Sequence, residues 1–158
     1  MNEAFYKFEL GTLKLKYKDE ILYHLSVVED KNVAENYQKN KFTDRVVEEI
    51  NEYLRGERQE FDIKYEFAEG TDFQKKVWKV LETIPYGEVY TYSDVAKKIN
   101  NDKAVRAVGS ACNNNPIWLI VPCHRVIGKN GELTGYHGGI DMKKKLLDIE
   151  KKYKVKKK

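Results

Sequence analysis

At 158 residues, with 41% hydrophobic, 12% aromatic and 34% charged side chains, the chain has the make-up of a folded soluble protein with one full core or two small ones. No apolar run approaches the roughly 20 residues that span a bilayer, and "MNEAFYKFEL" lacks the basic-then-apolar pattern of a secretory leader, so the expected compartment is cytoplasmic and no membrane partner is expected. The net charge of +4 hides an asymmetry: residues 1–69 hold 11 Lys/Arg against 16 Asp/Glu, a net of −5, and residues 70–158 hold 18 against 9, a net of +9. A basic second part points to an anionic partner, nucleic acid first, although six of its lysines lie in the tail "KKYKVKKK", which as a solvated end adds only non-specific affinity. Two cysteines cannot build a disulfide framework, and both are expected as free thiols.

In chain order, "FYKFELGTLKLKYKDEILYHLSVVED" alternates apolar and polar residues around turn signals at Gly11 and Asp19-Glu20, which predicts two or three antiparallel strands. "TDRVVEEINEYLRGER" predicts an amphipathic helix with Thr43 or Asp44 as N-cap, an apolar face of Val46, Val47, Ile50, Tyr53 and Leu54, and Gly56 as the stop. "FDIKYEF" reads as one more strand. The charge balance flips at "AEGTD", so the chain divides into 1–69, an α+β domain, and 70–158, a mainly helical one.

In the second part, "DFQKKVWKVLETI" predicts a helix with Phe73, Val77, Val80, Leu81 and Ile84 on one side, ending at Pro85-Tyr86-Gly87. "YSDVAKKI" predicts a short helix capped by Ser93, and "KAVRAVGSACN" a further one capped by Asp102. Two short helices joined by a tight polar turn make a helix-turn-helix candidate, although helix hairpins also occur in proteins that never meet DNA. On the second of them Val105, Val108 and Cys112 share one face, which makes Cys112 a buried core thiol. Arg106, Ala107 and Ser110 point the opposite way. That face is either simply exposed or shaped to lie close against another surface with one arginine projecting.

Cys123 is set differently, in "IVPCHRVIG" after the buried-strand type run "WLIVP". A thiol there is carried on rigid backbone, and cationic or polar neighbours favour the nucleophilic thiolate. His124 is a base only if an acceptor orients it. In the last helix, "GGIDMKKKLLDIEKKY", Met142, Leu146, Ile149 and Tyr153 form an apolar stripe with Glu150 on its flank. Glu150 is either an ordinary surface carboxylate or the partner of His124. Asn115, before Pro116, either ends a helix or braces the turn that carries Cys123. The glycine-rich "TGYHGG" holds Tyr136 and His137 beside backbone N–H groups able to bind an acceptor atom.

Together "PYGEVYTYSDVAKKI", "AVRAVGSACNNNP", "IVPCHRVIG", "LTGYHGG" and "LLDIE", in this order across residues 70–150, resemble the O6-alkylguanine-DNA alkyltransferases, the methylated-DNA–protein-cysteine methyltransferases. The resemblance implies an α+β fold: a small antiparallel sheet with a helix, ribonuclease H-like, followed by a mainly helical domain with a winged helix-turn-helix. It implies repair of double-stranded DNA containing alkylated guanine by a monomer. The flipped-out O6-alkylguanine, or O4-alkylthymine, gives its alkyl group irreversibly to Cys123. Glu150 would orient His124, which takes the thiol proton through a water, and Asn115 would support the turn. Tyr92 would donate a proton to the leaving base. The carbonyls of Cys123 and Val126 would accept from the guanine amino group, the His137 N–H would donate to O6, and Tyr136 would line the pocket. Arg106 would fill the vacated place in the base stack, with Ala107 and Ser110 permitting close minor-groove approach. Ser93, Asn101, Lys129 and Gln74 would meet the phosphate backbone.

No metal or organic cofactor is implied. No cysteine precedes residue 112 and His24 is the only histidine before it, too few for a four-ligand zinc site. Two other functional classes fit some of these residues. A DNA-binding regulator would use the helix pair and leave Cys123 as core, and a cysteine hydrolase would turn over repeatedly on Cys123, His124 and Glu150. Tyr92 and Arg106 favour the transferase. His137 stands where relatives often carry a small residue, which narrows the pocket against bulky adducts. A His137→Ala variant is therefore expected to react faster than wild type with O6-benzylguanine in a single-turnover assay, and equal rates would count against a narrowed pocket.

Overall fold

A computed structural model of the chain describes residues 1–30, 33, 38–133, 136 and 138–154. The chain packs as two compact units, Met1–Ala68 with Pro116–Trp118, and Glu69–Asn115 with Leu119–Lys158. Among the described residues no helix is long and apolar enough to cross a membrane.

In the first unit the alternating segment forms three strands, β1 (Asn2–Phe8), β2 (Gly11–Lys18) and β3 (Ile21–Val28), paired antiparallel in the order β1-β2-β3. Leu13, Leu15 and Tyr17 of β2 are buried at every second position, as one core face of a sheet requires. Helix α1 (Lys41–Leu54) buries Val46, Val47, Ile50, Tyr53 and Leu54, and its Phe42 ring meets Tyr17 with centroids 5.9 Å apart. Its start differs from the predicted one. Asn40 is the N-cap and accepts from the Thr43 N–H at 2.9 Å, while Thr43 Oγ1 accepts from the Asn40 N–H at 2.8 Å. Thr43 therefore stands one turn inside the helix, in the reciprocal position of a capping box. Gly56, with φ of 78°, follows the last turn as predicted and donates to the Tyr53 carbonyl.

Residues 61–67 do not form the predicted strand; only Tyr65 bridges to Leu22, in parallel. Side chains of α1 occupy the Asp62 backbone instead, while the Lys64 carbonyl and the Glu66 N–H bond Leu22 of β3. Glu49 accepts from the Asp62 N–H at 2.8 Å and Arg45 donates to the Asp62 carbonyl at 2.8 Å, so those groups have no need of a strand partner. The predicted strand "WLIVP" is also absent. Trp118 and Pro116 bond to Leu25 of β3 in the first unit, and Leu119, at φ of 69°, turns the backbone into the left-handed region.

The second unit is built on α2 (Asp72–Leu81), α3 (Tyr92–Lys98), α4 (Val105–Asn113) and α5 (Ile140–Tyr153), with β4 (Tyr90–Thr91) and β5 (Val126–Ile127) paired in parallel. α2 ends at Leu81, one turn short of the predicted end, and buries Trp78 as well as Val77 and Leu81. The Trp78 indole N–H donates to the Ala111 carbonyl of α4 at 2.8 Å. Helix α3 is capped by Thr91, not Ser93: Thr91 and Asp94 form the capping box, and Ser93 lies inside the first turn. Asp102 does not cap α4. The Ala104 N–H bonds back to Asn101, closing a turn that contains Asp102, and the helix starts after it with no side-chain cap. On α4 the buried residues are Val108, Ala111 and Cys112; Val105 is 38% exposed.

Replacing Asn40 with alanine removes a side-chain acceptor from the first turn of α1. The expected cost is about 1 kcal/mol of unfolding free energy, measured by urea denaturation; an unchanged midpoint would show that the cap contributes nothing.

Candidate active site

Cys123, His124 and Arg125 form a single 3₁₀ turn after Pro122, and all three are buried. They are therefore placed by a tight turn and not by a strand, so consecutive side chains are not forced to opposite faces. The Cys123 N–H bonds to the Val121 carbonyl at 2.9 Å, and the Arg125 N–H to the Pro122 carbonyl at 3.0 Å. Asn115 donates its side-chain amide to that same Val121 carbonyl at 2.8 Å and also hydrogen-bonds Cys123. Its bracing of the cysteine turn is thus direct.

Glu150, on α5, is fully buried, and its carboxylate meets four donors. Oε2 lies 2.6 Å from His124 Nε2 and accepts from the Arg125 terminal nitrogen at 3.0 Å; Oε1 accepts from Arg125 Nε at 2.8 Å and from the Gly87 N–H at 2.9 Å. Gly87 adopts φ of 80°, and a Cβ there would lie 2.7 Å from Lys154 Cδ, so glycine suits both the turn and the packing. Arg125 also donates to the Ile84 carbonyl at 2.7 Å, and its guanidinium lies 5.6 Å from the Tyr86 ring centroid. The choice left open by spacing is settled: Glu150 is the buried partner of His124. It shares its inward face with Leu146 and Lys143, while Met142 and Ile149 are only half-buried and Tyr153 is exposed.

Burial alone would raise the Glu150 pKa, but the hydrogen bonds from His124 and Arg125 and the Arg125 charge more than offset it and hold the group at about 2. Burial pushes His124 below the ordinary imidazole value against the pull of Glu150, which keeps the ring neutral. A neutral ring donating Nε2–H to Glu150 has its basic lone pair on Nδ1. Burial likewise pushes both cysteine thiols up. For Cys123, the Asn115 hydrogen bond and the Lys143 charge recover only part of that shift. The thiolate anticipated from polar neighbours is thus not the resting form; desolvation outweighs them, and the proton must be removed during reaction.

Tyr92 opens α3 directly after β4, and the Tyr90–Val126 pairing sets this end of the helix beside the residues that follow Cys123. Lys143, 1% exposed, donates to the Tyr92 hydroxyl at 3.3 Å with its ammonium 5.5 Å from the ring centroid. A phenol oxygen that accepts from an ammonium keeps its own proton to give. Val126 is buried at the start of β5, and Tyr136 is half-buried, its carbonyl accepting from Gly139 at 3.0 Å. His137 and its neighbours 134–135 lie outside the described residues.

Arg106, Ala107 and Ser110 are all exposed on α4, opposite its buried face. Asn101 and Lys129 are exposed on turns, and Ser93 is half-buried in the first turn of α3. Gln74 is already engaged: its side chain accepts from the Thr71 N–H at 3.0 Å in the capping box of α2. Among the described residues no group of three or more His, Cys, Asp or Glu side chains is placed to hold a metal ion. Three participants escaped the sequence reading. Lys143 and Glu150 are seven residues apart, two turns of one helix face, a legible signal that the surrounding lysines obscured. Arg125 is one cation among many in the sequence, and the contribution of the Gly87 backbone has no side chain to announce it.

Comparison with known proteins identifies the family. The family description "6-O-methylguanine DNA methyltransferase, ribonuclease-like domain" matches residues 1–67, and "6-O-methylguanine DNA methyltransferase, DNA binding domain" matches residues 72–152. The chain belongs to the 6-O-methylguanine DNA methyltransferase family. A methylated-DNA–protein-cysteine methyltransferase of Methanosarcina acetivorans is 44% identical over 154 residues, covering 95% of this chain and 98% of the relative. The crystal structure of Mycobacterium tuberculosis OGT in complex with DNA superposes with a TM-score of 0.87 at 41% identity, covering 97% of this chain and 94% of that one. An O6-methylguanine DNA methyltransferase from Methanococcus jannaschii superposes at 0.76 with 30% identity, covering 98% and 97%. The mixed α+β architecture expected from the family resemblance is the one observed.

The Glu150 carboxyl titrates lower in the folded state, about 2, than the ordinary 4.5, so its stabilisation is present above about 4.5 and lost as pH falls toward 2. Unfolding free energy of the wild type is expected to decline more steeply across that window than that of Glu150→Gln. Parallel pH curves in urea titrations would show that Glu150 is not held low.

Proposed function

We propose that this chain repairs DNA by taking the alkyl group of O6-alkylguanine onto Cys123 once, without turnover. The observation that carries the reading is the buried Cys123 on a braced turn, followed in sequence by a histidine paired to a buried carboxylate. The thiol proton passes through a water to His124, and the sulfur attacks the O6-alkyl carbon. A C–S bond forms and the C–O6 bond breaks, with its electron pair going to the guanine. Tyr92 supplies a proton to that leaving base and is reprotonated at the expense of the histidinium, so the net products are a thioether and guanine. Glu150 stabilises the imidazolium as it forms. A thioether holds no bond that water readily cleaves, so the protein is consumed.

The nucleotide reaches the thiol only if it leaves the stack. Arg106 fills the vacated space, and the small side chains of Ala107 and Ser110 let α4 approach the minor groove. Ser93, Asn101 and Lys129 hold the phosphates; Gln74, whose side chain and backbone N–H are both engaged in the capping box of α2, joins them only by releasing that cap. Val126 and Tyr136 bound the base. Residues 70–158 carry DNA binding and transfer, and residues 1–69 form the supporting domain. We further propose that the protein acts as a monomer and in the cytoplasm.

Mixing the protein with duplex DNA containing O6-methylguanine is expected to add one CH2 unit to the Cys123 peptide, in one-to-one yield by intact and peptide mass spectrometry. Cys123→Ser is expected to retain binding and gain no mass. Binding by the wild type with no mass change, while Cys123 remains open to thiol labelling, would overturn the transfer reading.

A further inference from the structure

The mechanism above uses Glu150 and His124 but leaves Arg125 unexplained. A surface arginine at this position would need no account. This one is buried, bonds to both carboxylate oxygens of Glu150 and anchors to the Ile84 carbonyl at 2.7 Å. Arg125 and Glu150 together are neutral. His124, 2.6 Å from Glu150 Oε2, therefore faces a balanced ion pair and not a bare carboxylate. A lone buried carboxylate would draw a proton onto the His124–Glu150 pair, and a pair already protonated could accept nothing from the thiol.

We propose that Arg125 is a positioning residue for alkyl transfer: by clamping both oxygens of Glu150 it balances that charge and keeps the neighbouring His124 an uncharged base in the resting protein. The inference rests on the alkyl-transfer reading above. Two parts of the clamp act separately. The charge of Arg125 opposes proton uptake by the pair, wherever on the pair the proton would sit. The planar fork holds Oε2 toward His124 and Oε1 toward the Gly87 N–H, a geometry that a single ammonium cannot reproduce. Among the described residues, the charged and titratable groups around the His124–Glu150–Arg125 cluster include Lys143 of α5, Cys123 of the same turn and, beside Arg125, Tyr86 from the turn after α2, whose hydroxyl burial and Glu150 push up to about 12. Lys143 and Arg125 both oppose a positive His124, so removing Arg125 leaves one opposing cation.

The test is the pH dependence of the single-turnover rate on O6-methylguanine duplex, with thioether formation read by mass spectrometry. In Arg125→Gln the acid limb of the profile is expected to move up by about one pH unit, so that its rate relative to its own plateau drops up to about tenfold on the acid side. In Arg125→Lys the limb should stay within a few tenths of a unit, while the plateau falls about tenfold because the fork is lost. Thermal melts and affinity for undamaged duplex report folding and DNA binding in each variant. An Arg125→Gln limb that coincides with wild type would overturn the proposal. If that variant does not fold, a wild-type plateau in Arg125→Lys would overturn it instead. Failure of the wild type to form any thioether would sink the alkyl-transfer reading itself, a result distinct from either outcome in the variants.

Discussion

The second unit is organised around one buried anion. A carboxylate taken out of water is costly unless its lone pairs are filled and its charge balanced. Glu150, on α5, meets that demand with four donors, drawn from the turn after α2 and the 3₁₀ turn of Cys123–Arg125. Three segments distant in sequence are thereby tied at one point. Losing any one donor would leave a buried acceptor short of a partner, which costs more than an average hydrogen bond contributes. The Gly87 conformation and the Arg125–Ile84 bond fit the same demand.

Around this anion the proton inventory favours a poised but unreacted state. Burial keeps the Cys123 thiol protonated and His124 neutral. Charge separation therefore need arise only when a substrate is present to receive the thiolate. For a protein proposed to react once, this has a physical advantage. A standing buried thiolate would be exposed to any small electrophile or oxidant able to reach it, whereas a thiol that must first be deprotonated is less available. Lys143, buried beside Tyr92, supplies positive charge on the side where negative charge would develop.

The proposed DNA-facing surface obeys opposite rules. Helix α4 exposes one long cation among small side chains and buries Val108, Ala111 and Cys112 on its other face. Trp78 ties that buried face to α2 by bonding the Ala111 carbonyl, so the exposed residues sit on a fixed platform. The helices also share a way of starting. α1, α2 and α3 each open with a reciprocal capping box, whereas α4 opens from a backbone turn with no side-chain cap. An end without a cap leaves backbone N–H groups available to water or to another acceptor.

Periodicity alone determined much of this protein. The alternation in residues 5–30 specified two or three antiparallel strands, of which three form, and the 3.6-residue pattern specified α1, α2 and α5, because these signals depend on which side chains face a core. The short motifs around Cys123, Tyr92 and Arg106 indicated the family, since their chemistry is carried by side chains. Local sequence was less able to decide between competing caps. Thr43, Ser93 and Asp102 were each plausible, and the backbone path chose Asn40, Thr91 and an uncapped turn. "FDIKYEF" and "WLIVP" had strand-like composition, but side chains of α1 claimed the Asp62 backbone of the first and left it only a short pairing with Leu22, and the left-handed turn at Leu119 interrupted the second. Only the tertiary structure decided that Glu150 is buried, that Arg125 and Gly87 share it with His124, and that the Cys123 thiol rests protonated. Those properties depend on desolvation and on contacts among residues dozens of positions apart, which no local pattern encodes.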